Sequence, residues 1–277
     1  LRRSLLIGAV LASLCSSLVA SGSAHAVAAR QPRPAAKHPT ALKYPIGIYD
    51  VREPSHYRPP ALSALAGYQR TYVDDFTSAL SPRRWFLFSG VPSGDPSGRF
   101  SPAHVSVRSG MLRIGTWRDS NYGGNWVSGG AGLSGEPFQY GALFVRSRET
   151  APGPDTVELL WPANNQWPPE IDFDEAGNAA DAQWWFDHYN NPQDRIDGHT
   201  KLNIDQWHTY GVIWAPTSLK FTVDGKLWGV TRASYAIPDL PMTLDLQAQS
   251  WCGIQGEPCP TQSSTLLVDW VELYTPK

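Results

Sequence analysis

The chain has 277 residues, 42% of them apolar and 12% aromatic, with 23 Lys and Arg against 25 Asp and Glu. The charge is unevenly placed: residues 69–277 hold 15 of the basic and 23 of the acidic side chains, a net charge of −8. That acidic balance excludes the basic face a nucleic acid needs, disfavours a sulfated polymer, and leaves a neutral ligand as the better fit.

The chain opens on LRRSLLIGAVLASLCSSLVASGSAHA. Arg2 and Arg3 precede an apolar run, and Ala24-His25-Ala26 offers an A-x-A cleavage site, the layout of a secretory signal peptide over residues 1–26. The run is short and broken by serines, which disfavours a membrane anchor, and Leu14 stands before Cys15 where a lipoprotein carries a small residue. The expectation is a secreted, extracellular protein with no membrane association after cleavage. Residues 27–68 hold seven prolines and read as a Pro-rich tether. Within it, Tyr44 to Pro60 is richer in Ile and Tyr and reads as an ordered strap. Residues 69–277 suffice for one large domain, expected to be monomeric.

Short runs of aromatic and β-branched residues alternate with turn signals through that domain. HVSV-RSG-MLRI, from His104 to Ile114, reads as a hairpin, and YGALFVRSR and VELLW as strands. TYGVIW and LKFTVDGKLW follow, the latter with Asp224-Gly225 as a two-residue hairpin turn. MTLDLQAQ and LLVDWVELY complete the set. No long stretch repeats apolar residues at helical spacing. The fold class is all-β, and composition leaves a two-sheet sandwich and a barrel both open.

The segment richest in chemistry is LLWPANNQWPPEIDFDEAGN, from Leu159 to Asn178. Pro168 and Pro169 fit the entry to a strand, where no ladder donor is needed. Side chains on a strand alternate between faces, so Glu170, Asp172 and Asp174 would share one face while Ile171 and Phe173 pack inward. Carboxylates in a row repel one another. Glycoside hydrolysis gives them a use, because it needs two carboxyl groups flanking the scissile bond, about 5 Å apart when configuration is retained. Strict alternation presents Asp174 as the distal acid, whereas a bulge near Phe173 or Asp174 presents Glu175 instead. Spacing leaves both open.

Cleavage of the leader would remove Cys15 and leave Cys252 and Cys259 in WCGIQGEPC. In an exported protein such a pair reads as a disulfide pinning a surface loop.

In this order and context the sequence resembles glycoside hydrolase family sixteen, whose signature is E-x-D-x-E or, in a bulged branch, E-x-D-x-x-E. The chain carries E-I-D-F-D-E at 170–175. Y-G-A-L-F-V-R-S-R and W-P-P stand before it, Q-W-H-T-Y-G-V-I-W after it, and V-D-W-V-E-L-Y near the end, so the resemblance spans most of 70–277. It implies a concanavalin-like two-sheet β-jelly-roll sandwich with a substrate cleft across its concave sheet. It also implies a retaining double displacement with Glu170 as nucleophile, Asp172 as supporting acid and Glu175 as acid/base. Asp174 then falls on the bulge, where the family requires no acid, and stays as the alternative. The laminarinase-like branch implies a β-1,3- or β-1,3-1,4-glucan substrate. An agar-type β-galactan hydrolase, a transglycosylase and a non-catalytic lectin-like protein are the alternatives.

Sugar rings offer apolar C–H faces to aromatic side chains, and the candidates for substrate contact are Trp161, Trp167, Trp126 in the glycine-rich loop GGNWVSGG, and Trp251, with His188, Gln247 and Gln249. Trp207, Trp214 and Trp270 fit core positions, and His208 reads as structural. Arg146 could orient an acid or pair structurally. No cofactor is expected for catalysis. Relatives hold a structural calcium ion on the convex side, and the matching positions here are Gly110 and Asp269.

Overall fold

Strands with one apolar and one polar face must bury the apolar one, and here they do so as two antiparallel sheets packed face to face. The computed structural model describes residues 65, 67–176, 183–254 and 256–277. The leader expected over 1–26 and all but the last residues of the tether expected over 27–68, strap included, lie outside the described residues. The chain divides into two units, residues 1–35 and 36–277, and every described residue belongs to the second.

The outer sheet runs Lys226–Thr231, Ser218–Val223, His208–Ala215, Gly141–Glu149, Ser264–Pro276, Leu112–Asp119, Val105–Val107. Tyr68–Asp74 pairs with Ser264–Pro276, and Asn125–Ser128 with Leu112–Asp119. The cleft sheet runs Arg195–Thr200, Gln183–His188, Glu170–Ala176, Asp155–Pro162, Met242–Gln249, Gly130–Gly132, Phe86–Leu87. Two separate sheets, rather than one closed on itself, decide for the sandwich over the barrel.

The core lies between the sheets. Ile171, Phe173, Leu160 and Leu244 of the cleft sheet meet Leu143, Val145, Val212 and Phe221 of the outer one in a single buried cluster. Burying each such side chain stabilises the fold by about 1.5–3 kcal/mol. Trp207, Trp214 and Trp270 are buried as expected, and the Trp214 indole donates to Pro238 O at 3.0 Å. On the other face of the outer sheet a smaller cluster joins Leu65 to Phe144, Trp270 and Tyr274, with Tyr68 packed against it. Leu65 and Tyr68, at the end of the expected tether, pack on the domain, and Tyr68 already opens the first strand. The turn expected at Asp224-Gly225 has both residues at positive φ, 48° and 74°, which is the left-handed pair a tight hairpin uses.

Candidate active site

The position of the cleft acids follows from one irregularity in the strand Glu170–Ala176. Against Asp155–Pro162, Leu159 pairs with Asp172, Glu158 with Asp174 and Val157 with Glu175, and the register slips between Glu158 and Leu159. On the other side Phe186 pairs with Asp172 and Trp184 with Glu175, again with a slip. Two residues, Phe173 and Asp174, thus occupy the space of one, which is a β-bulge. The bulge turns Glu175 to the face that already carries Glu170 and Asp172. All three line a cavity of about 860 Å³ across the cleft sheet. Phe173 stays in the core. Asp174, 3% exposed, is not among the residues lining the cavity and lies instead within reach of the charges of Glu158 and Glu149.

Of the substrate contacts expected, Trp161, Trp167, Trp251, His188, Gln247 and Gln249 line the same cavity. Trp126 does not. What reads as a glycine-rich loop is a strand paired with Leu112–Asp119 in the outer sheet. Trp126 is 5% exposed there, with the Arg118 guanidinium 5.1 Å from its ring. Trp251 stands on the rim. Its backbone N–H donates to Asp95 Oδ2 at 3.2 Å, and a Cβ at Gly94 would lie 3.5 Å from its ring. The buried Asp95 also accepts from Ser97 N and Gly98 N, so one carboxylate ties two rim loops together. Cys252 and Cys259 form the expected disulfide beside them.

The cleft holds groups that sequence reasoning passed over: Asp155, Asp245, Arg195, Phe88, Phe100 and Phe186. Period two would have found the first two. Asp155 shares its face with Val157 and Trp161, and Asp245 shares its face with Gln247 and Gln249. Phe88 and Phe100 come from a segment held by isolated bridges, Gly90 to Phe100 and Phe100 to Ser128, which leaves no periodic trace.

Five carboxyl groups in so small a space cannot all be charged cheaply. Burial holds Glu170 well above the usual carboxylate range and Asp172 pushes it the same way, while His188 and the Trp167 N–H oppose. Burial and then Glu175 raise Asp172. Burial raises Glu175, with Asp155 and Glu170 adding to it and Arg195 opposing. Asp155 and Asp245 are raised chiefly by burial as well. His188 Nε2 stands 3.3 Å from Asp172 Oδ2, and burial holds its imidazole below the ordinary value. The Trp167 indole donates to Glu170 Oε2 at 2.5 Å. A raised acid beside a second carboxyl group on one cleft floor is the equipment for protonating a leaving oxygen while its neighbour attacks or stabilises.

The two positions matched to a calcium site have these surroundings. Asp269 Oδ2 faces Arg146 Nε at 3.8 Å, so a guanidinium already serves that carboxylate, and Gly110 sits in a hairpin turn with Ser109. Arg146, buried, also donates to Thr209 Oγ1 at 3.3 Å, a structural role away from the cleft. His208 is structural too, with Nδ1 2.7 Å from Asp224 Oδ2. Among the described residues, the one group of three His, Cys, Asp or Glu with ligand atoms within 4.8 Å of one another is Glu170, Asp172 and His188, in the cleft. No helix among the described residues is long and apolar enough to cross a membrane.

A cleft across one sheet, lined by paired carboxyl groups and tryptophans, is the equipment of a glycosidase. The family model described as "Glycosyl hydrolases family 16" matches residues 99–272, and the chain belongs to that family. Among solved structures it is similar to the catalytic domain of an endo-1,3-beta-glucanase (laminarinase) from Thermotoga petrophila, at 18% identity and TM-score 0.65, covering 76% of this chain and 98% of that one. The laminarinase from Rhodothermus marinus gives 19%, 0.65, 76% and 98%. A non-specific endo-beta-1,3(4)-glucanase of the same family gives 20%, 0.65, 82% and 97%. No curated protein matches the chain.

Proposed function

We propose that the chain is an endo-acting hydrolase of a neutral β-glucan, β-1,3- or mixed β-1,3-1,4-linked, that retains configuration by double displacement. Glu170 is the nucleophile, Asp172 the acid that holds and tunes it, and Glu175 the general acid and then base. The observation that carries this reading is the bulge at Phe173–Asp174, which brings Glu175 onto the cleft floor with Glu170 and Asp172. Trp161, Trp167 and Trp251 supply ring faces for pyranose stacking, and Gln247, Gln249 and His188 supply hydroxyl partners. The substrate class rests on the acidic domain, which suits an uncharged polymer, and on the likeness to laminarinases. Secretion rests on the leader-like start of the sequence.

The test is a panel of laminarin, mixed-linkage glucan and agarose, with product anomers read by proton NMR. Wild-type protein is expected to shorten one of the two glucans from within and release the β-anomer first. Glu170→Gln is expected to lose activity by about a thousandfold or more. Equal activity of that variant would remove Glu170 as nucleophile. Binding without cleavage on every polymer would favour a lectin-like role.

A further inference from the structure

Trp167 brings more than a ring to this cleft. It is one of the few large apolar side chains left exposed, at 36%, and it stands three residues ahead of Glu170, where the chain enters the strand. Stacking on a sugar uses the face of an indole and leaves its single N–H without a task. Here that N–H has one, because it donates to Glu170 Oε2 at 2.5 Å while the ring stays 6.1 Å from the His188 ring. A hydrogen bond to an ionised carboxylate is about twice as strong as one between neutral groups, so this contact fixes the carboxylate and favours its charged form.

We propose that Trp167 is a positioning residue whose indole N–H holds Oε2 of Glu170 and leaves Oε1 as the oxygen that attacks the sugar. The inference rests on the reading of Glu170 as nucleophile. In the first step Oε1 bonds to the anomeric carbon, the bond from that carbon to the glycosidic oxygen breaks, and the departing oxygen keeps the electron pair and takes the proton of Glu175. In the second step a water oxygen bonds to the anomeric carbon and gives its proton to Glu175. The bond to Oε1 breaks, and its electron pair returns to Glu170. The indole therefore faces a full carboxylate before the first step and after the second, and a neutral ester between them. An ester oxygen is the weaker acceptor, so the N–H favours release of Glu170 and shortens the life of the covalent intermediate. Loss of the N–H lengthens it.

Trp167→Phe keeps a ring and removes the donor, and Trp167→His returns a ring N–H. Unchanged melting temperatures establish that both fold. In protein labelled with ¹³Cδ-glutamate, the Glu170 signal is assigned by its loss in Glu170→Gln and then titrated without substrate. In Trp167→Phe its midpoint is expected to rise by about one pH unit, with Trp167→His between the two. On whichever glucan is cleaved, kcat is expected to fall about tenfold, and the acid limb of kcat/KM to move up by the same amount as the NMR midpoint. A Glu170 midpoint that stays put in Trp167→Phe overturns the inference and reduces Trp167 to a sugar platform. An active Glu170→Gln overturns the nucleophile reading instead, whatever the titration shows.

Discussion

The strand Glu170–Ala176 carries acids on both of its faces, and the two sets have opposite fates. On the cleft face Glu170, Asp172 and Glu175 open into a cavity of about 860 Å³, with indole, imidazole and guanidinium groups to partner them. On the core face Asp174 is sealed between the sheets, where the charges of Glu158 and Glu149 reach it from neighbouring strands. Thr156 Oγ1 donates to Glu149, and Ser147 partly offsets the burial of Glu158, while among the described residues one oxygen of Asp174 and the Gln183 Oε1 have no hydrogen-bond partner. Burial raises all three core acids, Glu158 to about 8. Acids one position apart thus meet different surroundings, an open cleft with polar partners on one side and a sealed core on the other, and only the cleft face gives a charge something to meet.

Activity should separate the two faces most sharply. Glu175→Gln is expected to lower kcat on a glucan by about 10²–10⁴-fold and to recover much of the loss on an aryl glycoside whose leaving group needs no proton. Asp174→Asn should change kcat by less than about threefold. The reverse order would place the general acid on Asp174 and break the comparison.

Stability comes next. A carboxyl group raised in the folded chain contributes fully while pH stays below its unfolded value, near 4.5 for glutamate, and that contribution is lost as pH rises through the folded value. Stability should therefore fall between about pH 4.5 and pH 8, the window set by Glu158. The cleft acids add to the slope with the same sign, since burial raises them too. Asp174→Asn relieves the core face alone. It should flatten this slope and raise the melting temperature at pH 8 by roughly 5 °C, a few kcal/mol in a domain of this size, with no gain at pH 4. A flat wild-type profile would mean that the core acids are not protonated.

The smallest effect concerns what neutralises that buried set. If protons do so, and Arg146 serves Asp269, then EDTA should leave the melting temperature within about 1 °C. A fall of many degrees on chelation would put a metal ion among the core acids or on the convex face.

Much of the fold was legible in advance because strand burial has a period of two and turns have a chemistry. Both hairpin turns, the long central strands and the three core tryptophans followed from local pattern. So did the common face of Glu170 and Asp172. Glycine misled the reading at Trp126, where GGNWVSGG hides a short strand of the outer sheet, since small residues there let other parts of the chain pack close and do not mark a loop. A Cβ at Gly130 would sit 2.3 Å from the Phe88 ring. Asp155 and Asp245 were within reach of the alternation argument and were missed because neither adjoins the acidic motif.

The sequence alone determined a two-faced β chain, an acidic strand and its membership of one family, for these rest on residue type and spacing along a single segment. Tertiary structure decided which distal carboxyl group faces the cleft. It also gave Asp174 its buried neighbours and the Trp167 indole its carboxylate. Each of these turns on register between strands far apart in the chain. The bulge at Phe173–Asp174 is set by two partner strands, Asp155–Pro162 and Gln183–His188, each one residue short opposite it.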